Sequence, residues 1–300
     1  RKTDGVMDYL LTYADRGFSG NPQDTGNDRT YSLDALPQEF PCRLTGDFRS
    51  PVLDLVNADG SLGCDLRYQG YEICDGKYNL KGLPAVYAAE EEAQTLIIYM
   101  KDQVTGLQVE LLYGVLPEYD VITRSAKVIN TEEDKIRLTK AQAACIDFVH
   151  GEFDVISFYG RHAMERNMQR TSVGHGAFVI GSRRGTSSHQ YNPFVMLADK
   201  NATETSGECY GFSLLYSGNF LAAAEKDQFD QTRLIMGIHP GNFEFLLREG
   251  EIFHAPEVMM VYSAEGFEKM SNCYHKAVRE HVCRGRFKLE RRPVLINNWE

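Results

Sequence analysis

The sequence predicts a mainly β protein built from antiparallel sheets, and three observations carry this prediction. Apolar residues alternate with polar ones in several segments, as in the series Leu107, Val109, Leu111 and Tyr113. These segments are short and rich in β-branched and aromatic residues, which is typical of strands. Polar turn sequences such as NADGS, CDGK and HPGN separate them. Successive strands with short polar turns favour antiparallel sheets with one buried face, and therefore a large β-sandwich.

The same period of two recurs along most of the chain. The segments TLIIYMKD and CYGFSLLYSG repeat the alternation of apolar and polar residues. Further candidate strands are DVITRSAKVIN, KIRLTKAQ, GAFVIGS, FVMLAD, TRLIMGI, FEFLL and PEVMMVYS. We therefore expect one large sandwich rather than an alternation of strands and helices.

One segment, SAEGFEKMSNCYHKAVREHV, has a helical pattern instead. Six residues fall on one stripe at helical spacing. They are Phe267, Met270, Tyr274, Ala277, Val278 and His281. Gly285 follows, and a glycine there is typical of a helix stop. The pattern predicts a single helix that closes the sandwich.

The end of the sequence predicts a domain boundary. A basic connector, RGRFKLERRP, leads into a fresh apolar run in RRPVLINNWE, which contains the only tryptophan, Trp299. We expect a sandwich over residues 1–264, a linker helix and connector over 265–291, and the first strand of another domain over 292–300. The opening RKTDGVMDYLLTYADRG lacks an initiator Met, and we expect it to lie inside a longer protein. The sequence therefore gives little information on whether that protein has a targeting segment.

Composition and charge exclude several classes of partner. The chain has 300 residues, 43% of them hydrophobic, and a formal net charge of -10. An acidic chain repels phosphate backbones, so we expect no nucleic acid partner. It has no polybasic patch and no apolar run near the roughly eighteen residues that span a bilayer, so we expect no membrane association.

The cysteines predict a reducing compartment. Seven cysteines are dispersed, the number is odd, and none forms a CxxC pair. This pattern favours reduced thiols in a cytoplasmic protein over disulfides or a zinc site. The sequence also lacks a phosphate-binding glycine loop, GxSxG, HExxH and an EF-hand loop, so we expect no metal and no cofactor.

Two kinds of polar cluster leave alternatives open. The segment SRRGTSSHQYNPF could bind a polyol or a carboxylate, but a structural turn that satisfies backbone groups is favoured. The segments YADRGFS and NDRTYSLD each pair Asp with Arg, which usually means an exposed ion pair. Sugar sites need the same mixture of carboxylate, guanidinium and aromatic faces.

Nine segments resemble, in the same order, parts of bacterial α-galactosidases of glycoside hydrolase family 36. The resemblance runs from about Tyr13 to Glu300. The segments are DRTYSLDALPQEFP, DFRSPVLDLVNADGS, LRYQGYEICDGK, KGLPAVY, DVITRSAKVIN, RRGTSSHQYNPF, YGFSLLYSGNF, APEVMMVYS and RPVLINNWE.

The resemblance implies a fold and a reaction. The fold is a galactose-mutarotase-like β-supersandwich, a linker helix and the first strand of a (β/α)8 barrel. The family's reaction is retaining hydrolysis of terminal α-galactose from sugars such as melibiose and raffinose, by two aspartates on later barrel strands. Neither position lies in these 300 residues, so the resemblance implies an enzyme of which this region is inactive alone. The alternatives are a stand-alone carbohydrate-binding or assembly sandwich, and action on α-N-acetylgalactosaminides.

The resemblance also implies three substrate-binding residues and no catalytic residue. Asp15 and Arg29 resemble residues at the rim of the substrate site, and Trp299 resembles an active-site tryptophan. The implied partners are α-galactoside oligosaccharides, the protein's own barrel and further copies in a tetramer. The chain departs from the family pattern at two places. His162 stands where relatives commonly have Trp, and the stretch between Asp15 and Arg29 is slightly longer than in relatives.

Overall fold

A computed structural model of the chain describes residues 36–149 and 152–298. In these residues the chain forms two antiparallel sheets that pack face to face, with one long helix on the outer face of the larger sheet. This confirms the predicted fold class, a large antiparallel β-sandwich followed by a helix.

Sixteen strands and one α-helix are described. In chain order they are β1 (Leu53–Val56), β2 (Leu66–Asp75), β3 (Gln94–Asp102), β4 (Gln108–Leu116), β5 (Val121–Ile129), β6 (Ile136–Phe148), β7 (Phe153–Arg161), β8 (Met164–Ser172), β9 (Gly176–Ser182), β10 (Tyr191–Asp199), β11 (Cys209–Leu215), β12 (Phe220–Lys226), β13 (Thr232–Ile238), β14 (Phe245–Leu247), β15 (Ile252–His254), β16 (Glu257–Ser263) and α1 (Gly266–His281). Two short 3-10 helices lie at Glu90–Glu92 and Pro117–Tyr119.

The smaller sheet has the strand order β1-β6-β13-β12. β14 pairs with the part of β6 that β13 leaves unpaired. The register is regular over most of β13, where Leu234 lies opposite Ile146 and Met236 opposite Ala144. β9 lies against β12, and a Cβ at Gly181 would come within 2.5 Å of the carbonyl oxygen of Phe220. Only glycine permits this close approach of two backbones.

The larger sheet has the strand order β2-β3-β4-β5-β16-β11-β10-β7-β8, and β15 pairs with β5. Its inner face buries the alternating residues predicted from the sequence, including Leu107, Val109 and Leu111, which are at most 1% exposed. Each such side chain contributes about 1.5–3 kcal/mol when it leaves water. The core therefore lies between the two sheets.

Helix α1 covers the outer face of the larger sheet. Met270, Tyr274 and Ala277 are buried, and the Tyr274 hydroxyl donates a 3.0 Å hydrogen bond to the carbonyl of Met259. The predicted stripe is right for these residues, but Val278 is 36% exposed and Cys273 is buried instead. The stripe is centred closer to Cys273 because residues three and four apart share a helix face.

Gly211 of β11 lies directly beneath this helix. A Cβ there would lie 2.7 Å from the Tyr274 ring and 2.8 Å from the Met270 sulfur. We expect Gly211→Ala to lower the free energy of unfolding by about 1–3 kcal/mol, because the helix must shift outward. Gly63→Ala is the matched control, since an added Cβ at Gly63 meets none of the described residues within 4 Å. Urea unfolding followed by circular dichroism checks both, and equal effects would contradict the packing argument.

Residues 291–298 form neither helix nor strand in the structure. The side chains of Val294, Leu295 and Ile296 are 92%, 88% and 83% exposed. A strand needs a hydrogen-bonding neighbour, and none of the described strands pairs with this segment. The strand over 292–300 and its place in a barrel therefore stay predictions.

Candidate functional site

The three substrate-binding residues implied by the resemblance, Asp15, Arg29 and Trp299, lie outside the described residues. Their roles stay predictions. The described residues that follow Arg29 in the chain begin at Leu36, and those that precede Trp299 end at Asn298.

The segment after Arg29 is fixed to the sandwich at several points. The backbone N–H of Gln38 donates to Asp147 at 2.8 Å, and Arg124 donates to the carbonyl of Glu39 at 2.6 Å. Arg49 donates to the carbonyl of Leu36 at 2.5 Å. The chain therefore leaves the predicted rim region as a segment anchored to both sheets.

The strongest of these anchors is a buried ion cluster, formed by Asp47, Arg49, Asp147, Asp227 and Arg233. Arg233 lies 2.7 Å from both Asp47 and Asp147, and Arg49 lies 2.9 Å from Asp47. Arg49 is also 3.6 Å from Asp147 and from Asp227. All five side chains are at most 4% exposed.

The electrostatics of this cluster do not suit acid–base catalysis. Burial raises the pKa of Asp47, but the Arg49 hydrogen bond and the charges of Arg233 and Arg49 outweigh it and hold the pKa below its usual value. A glycosidase acid needs a raised pKa and contact with substrate. Asp47 has a lowered pKa and is sealed from solvent, so the cluster stabilises the fold.

A second buried pair joins the loop after β2 to β16. The Lys77 amine lies 2.6 Å from the Glu257 carboxylate, and their side chains are 1% and 0% exposed. The other carboxylate oxygen accepts the backbone N–H of Val86 at 2.7 Å. Burial lowers the pKa of Lys77 to about 8, although the charge of Glu257 acts in the opposite direction. One carboxylate therefore fixes two points of the long loop between β2 and β3.

An aromatic groove lies at one end of the sandwich, with a volume of about 730 Å³. Tyr210, Tyr262 and Phe148 line it together with Ile122 and Met260. The Tyr210 and Tyr262 rings are 5.0 Å apart, and the Tyr210 hydroxyl donates to Glu208 at 3.2 Å. The lining is mainly apolar; of its two carboxylates, Asp120 and Glu265, the first is paired with Lys269 at 3.4 Å.

The loop within SRRGTSSHQYNPF is held by its own hydrogen bonds. The Ser182 hydroxyl donates to the carbonyl of Thr186 at 2.7 Å and accepts the N–H of Arg184 at 3.3 Å. The Asn219 side chain accepts the N–H of Gly185 at 2.7 Å. These contacts agree with the structural interpretation of the loop, because the Ser182 hydroxyl satisfies backbone groups rather than facing a ligand.

Three further observations concern His162, metal binding and membrane-spanning helices. His162 lies exposed in the turn between β7 and β8. No cluster of three or more His, Cys, Asp and Glu side chains that could hold a metal occurs within residues 36–149 and 152–298. No helix in the same residues is long and apolar enough to cross a membrane.

Sequence reasoning missed both buried ionic groups. One signal was available, since an arginine stands second in the apolar strand TRLIMGI, where a charge must be paired if it is buried. The identity of its partners, Asp47 and Asp147, depends on the pairing of distant strands. No sequence pattern showed that Glu257 would face Lys77, which lies far away in the chain.

The structure defines the class of this protein: a large two-sheet β-sandwich with a closing helix and, beyond it, an exposed apolar segment without a sheet partner among the described strands. The comparison with protein families then gives the family to which the chain belongs. The chain belongs to the family described as the glycosyl hydrolase family 36 N-terminal domain, whose profile matches residues 11–248. A second profile, melibiase, matches residues 252–300.

Related proteins are α-galactosidases. The chain is 58% identical, over all of its length, to the bifunctional α-galactosidase/sucrose kinase AgaSK of Mediterraneibacter gnavus, and it covers 32% of that protein. It is 46% identical over 95% of its length to the α-galactosidase Mel36A of Lactobacillus acidophilus, covering 39% of that protein. The chain thus spans about a third to two fifths of the length of these relatives.

Solved structures of α-galactosidases superpose closely on this chain. The galactosidase domain of AgaSK superposes with a TM-score of 0.92 at 58% identity, covering all of this chain and 42% of that one. A variant of the family 36 α-galactosidase AgaA of Geobacillus stearothermophilus, solved in complex with raffinose, superposes with a TM-score of 0.90 at 46% identity. The superposition covers 95% of this chain and 40% of the AgaA chain.

Proposed function

We propose that this chain is the N-terminal, non-catalytic part of a retaining α-galactosidase that hydrolyses melibiose- and raffinose-type oligosaccharides. The succession of the two family profiles carries the proposal, because the sandwich profile over 11–248 is followed at once by the melibiase profile from 252. The exposed apolar run Val294–Ile296 supports it, since such a run would be buried if it formed a strand within a sheet. The raffinose and stachyose complexes of the Geobacillus relative support the substrate class.

In this proposal the chemistry takes place in a barrel that follows the sandwich. Two carboxylates about 5–5.5 Å apart would act as nucleophile and acid/base. The sandwich would contribute Asp15 and Arg29 to the rim of the substrate site, and Trp299 would lie at the carboxyl end of the first barrel strand, where such sites form. No cofactor takes part. The intact protein would act in the cytoplasm, as the seven free cysteines of this chain favour, and would assemble as a homo-oligomer.

Comparing the intact protein with the isolated 300-residue chain tests the proposal. The intact protein should hydrolyse melibiose, raffinose and an aryl α-galactoside, and the isolated chain should hydrolyse none of them. Tight binding of galactose or raffinose by the isolated chain in calorimetry would favour a stand-alone binding module. Faster hydrolysis of an aryl α-N-acetylgalactosaminide by the intact protein would change the substrate class. An inactive intact protein would overturn the proposal.

We expect Asp15→Ala, in the intact protein, to raise the KM for raffinose about tenfold while the KM for a small aryl galactoside changes little. A single lost hydrogen bond to a charged group costs about 1.5–3 kcal/mol, and only the longer substrate would reach the rim. Asp24→Ala, in the same stretch of sequence, is the matched control and should change neither value. Equal effects of Asp15→Ala on both substrates would remove the rim-contact role.

A further inference from the structure

The edge strand β2 presents an apolar stripe to solvent. Tyr68, Tyr71 and Ile73 are 61%, 63% and 62% exposed. Within the described residues β2 pairs only with β3, so its other edge offers free backbone N–H and C=O groups. A long, exposed, apolar edge strand is a template for pairing with another strand, and stable proteins cover or blunt such an edge.

All three exposed apolar side chains lie on one face of the sheet. Tyr68 is opposite Met100, Tyr71 opposite Ile98 and Ile73 opposite Leu96. Ile98 and Met100 pack against the core, so this is the inner face of the sheet, continued past the rim of the sandwich. Paired residues in an antiparallel ladder share a face.

Charged residues occupy the other face of β2. Arg67 is opposite Lys101, and Glu72 is opposite Ile97 and accepts a hydrogen bond from the Tyr99 hydroxyl at 2.9 Å. The register shifts between Tyr68 and Gly70, which marks a bulge at Gln69. The bulge changes which residues share a face on its two sides.

We propose that β2 pairs antiparallel with β2 of a second copy of this chain, about a two-fold axis between Gln69 and Gly70. The proposal rests on the proposed function only in that it names a surface for the homo-oligomer. In this register Tyr68 of one copy faces Tyr71 of the other. Leu66 then faces Ile73, and Arg67 faces Glu72. Because the axis is two-fold, each of these contacts occurs twice.

This register is selected by face and by charge. Because of the bulge, this register places the inner-face side chains of one copy opposite the inner-face side chains of the other. The outer-face side chains are matched in the same way. A slip of the two strands by one residue would set inner-face side chains opposite outer-face ones. A slip by two in one direction sets Asp65 against Glu72, two like charges. A slip by two in the other direction sets Arg67 against Cys74 and loses both ion pairs. Gly70 lies beside the axis, and none of the described residues comes within 4 Å of an added Cβ there, so no described side chain obstructs the approach.

The opposite edge of the same sheet fits a second copy less well. β8 exposes Met164 and Met168, but it is otherwise polar, with the sequence MERNMQRTS. Arg170 of β8 is held by Asp154 at 2.6 Å and by the carbonyl of Ala202 at 2.8 Å. Charged residues along an edge discourage pairing, so β8 has a protection that β2 lacks on its inner face.

A charge exchange in the intact protein tests the proposal. Arg67→Glu sets two pairs of glutamates against each other across the axis, and Glu72→Arg sets two pairs of arginines. Each single variant should weaken the association of two copies by about tenfold or more, measured by sedimentation over a range of concentrations. The double variant Arg67→Glu/Glu72→Arg restores opposite charges and should recover the wild-type mass. If Arg67→Glu acted only by breaking the Arg67–Asp65 ion pair within one copy, adding Glu72→Arg would not restore the association.

Two further variants separate this surface from others. Tyr71→Lys places a charge in the proposed aromatic cluster and should dissociate the pair, whereas Met168→Lys on β8 is the matched control and should leave the mass unchanged. An intact protein that is monomeric, or β2 variants that keep the wild-type mass, would overturn the proposal. A lower melting temperature at unchanged mass would mean that another part of the same chain covers β2, which also overturns it. Hydrolysis of an aryl α-galactoside is measured in the same samples, so a failure of the proposed activity is seen independently of the mass.

Discussion

Replacing Arg233 with Met is expected to lower the free energy of unfolding of the chain by about 3–5 kcal/mol, because it removes one partner from a buried ionic group. The Arg233 guanidinium is 0% exposed, lies 2.7 Å from both Asp47 and Asp147, and donates to the carbonyl of Ser50 at 3.2 Å. Without it, three buried carboxylates would share the single charge of Arg49. Urea unfolding followed by circular dichroism measures the loss.

Two variants control for charge and for position. Arg233→Lys keeps the charge but not the planar fork that binds both aspartates, so we expect an intermediate loss. Arg137→Met removes an arginine from β6, the strand next to β13, where its pair with Glu244 is 3.8 Å long and half-exposed. That variant should cost no more than about 1 kcal/mol. Equal losses for Arg233→Met and Arg137→Met would contradict the role assigned to the buried ion cluster.

The same cluster predicts a pH dependence. The pKa of Asp47 is lowered in the folded chain, so the unfolded chain binds more protons as pH falls through the acid range. The stability that Asp47 contributes is therefore complete above its unfolded pKa of about 3.9 and is lost as pH falls through its lower folded pKa. In Arg233→Met the carboxylate loses its main opposing charge and its pKa rises. The difference in stability between wild type and variant should therefore be largest near neutral pH and shrink below about pH 4.

The sandwich could be predicted because most of its strands bury one face. Val109 and Leu214 are buried between more exposed neighbours, and burial of every second side chain leaves that period in the sequence. β8 left no such trace. Both of its faces are largely exposed, so nothing selects an apolar residue at every second position, and it went unrecognised.

The site could be predicted only through resemblance to a family. Asp15, Arg29 and Trp299 are isolated residues with no spacing that would reveal a common site, and any contacts among them depend on parts of the fold that are far apart in sequence. For the described residues, position in the sheet decided what a charge does. Arg67 and Arg233 both stand next to an apolar residue in a strand, yet Arg67 is mostly exposed and Arg233 is fully buried.

The second large effect is expected at the buried pair of Lys77 and Glu257. Glu257→Gln leaves a buried amine without its carboxylate, and Lys77→Met leaves a buried carboxylate without its amine. Each should lower the free energy of unfolding by about 3–5 kcal/mol. The double variant Lys77→Met/Glu257→Gln has no buried charge at this site, and its amide oxygen can still accept the N–H of Val86, so it should lose less than either single variant. Additive losses would show that the two charges are not coupled.

The pH dependence of the same variants gives an independent measurement. The pKa of Lys77 is about 8 in the folded chain against a usual 10.5, because burial disfavours the charged amine. Between these two values the unfolded chain binds more protons, so the contribution of Lys77 to the free energy of unfolding rises with pH across that window. Lys77→Met abolishes this rise, whereas the exposed control Lys200→Met should keep it. In Glu257→Gln the attraction that supports the charged amine is gone, so the pKa of Lys77 falls further and the rise begins at a lower pH. A rise unchanged in Lys77→Met would mean that another group titrates there.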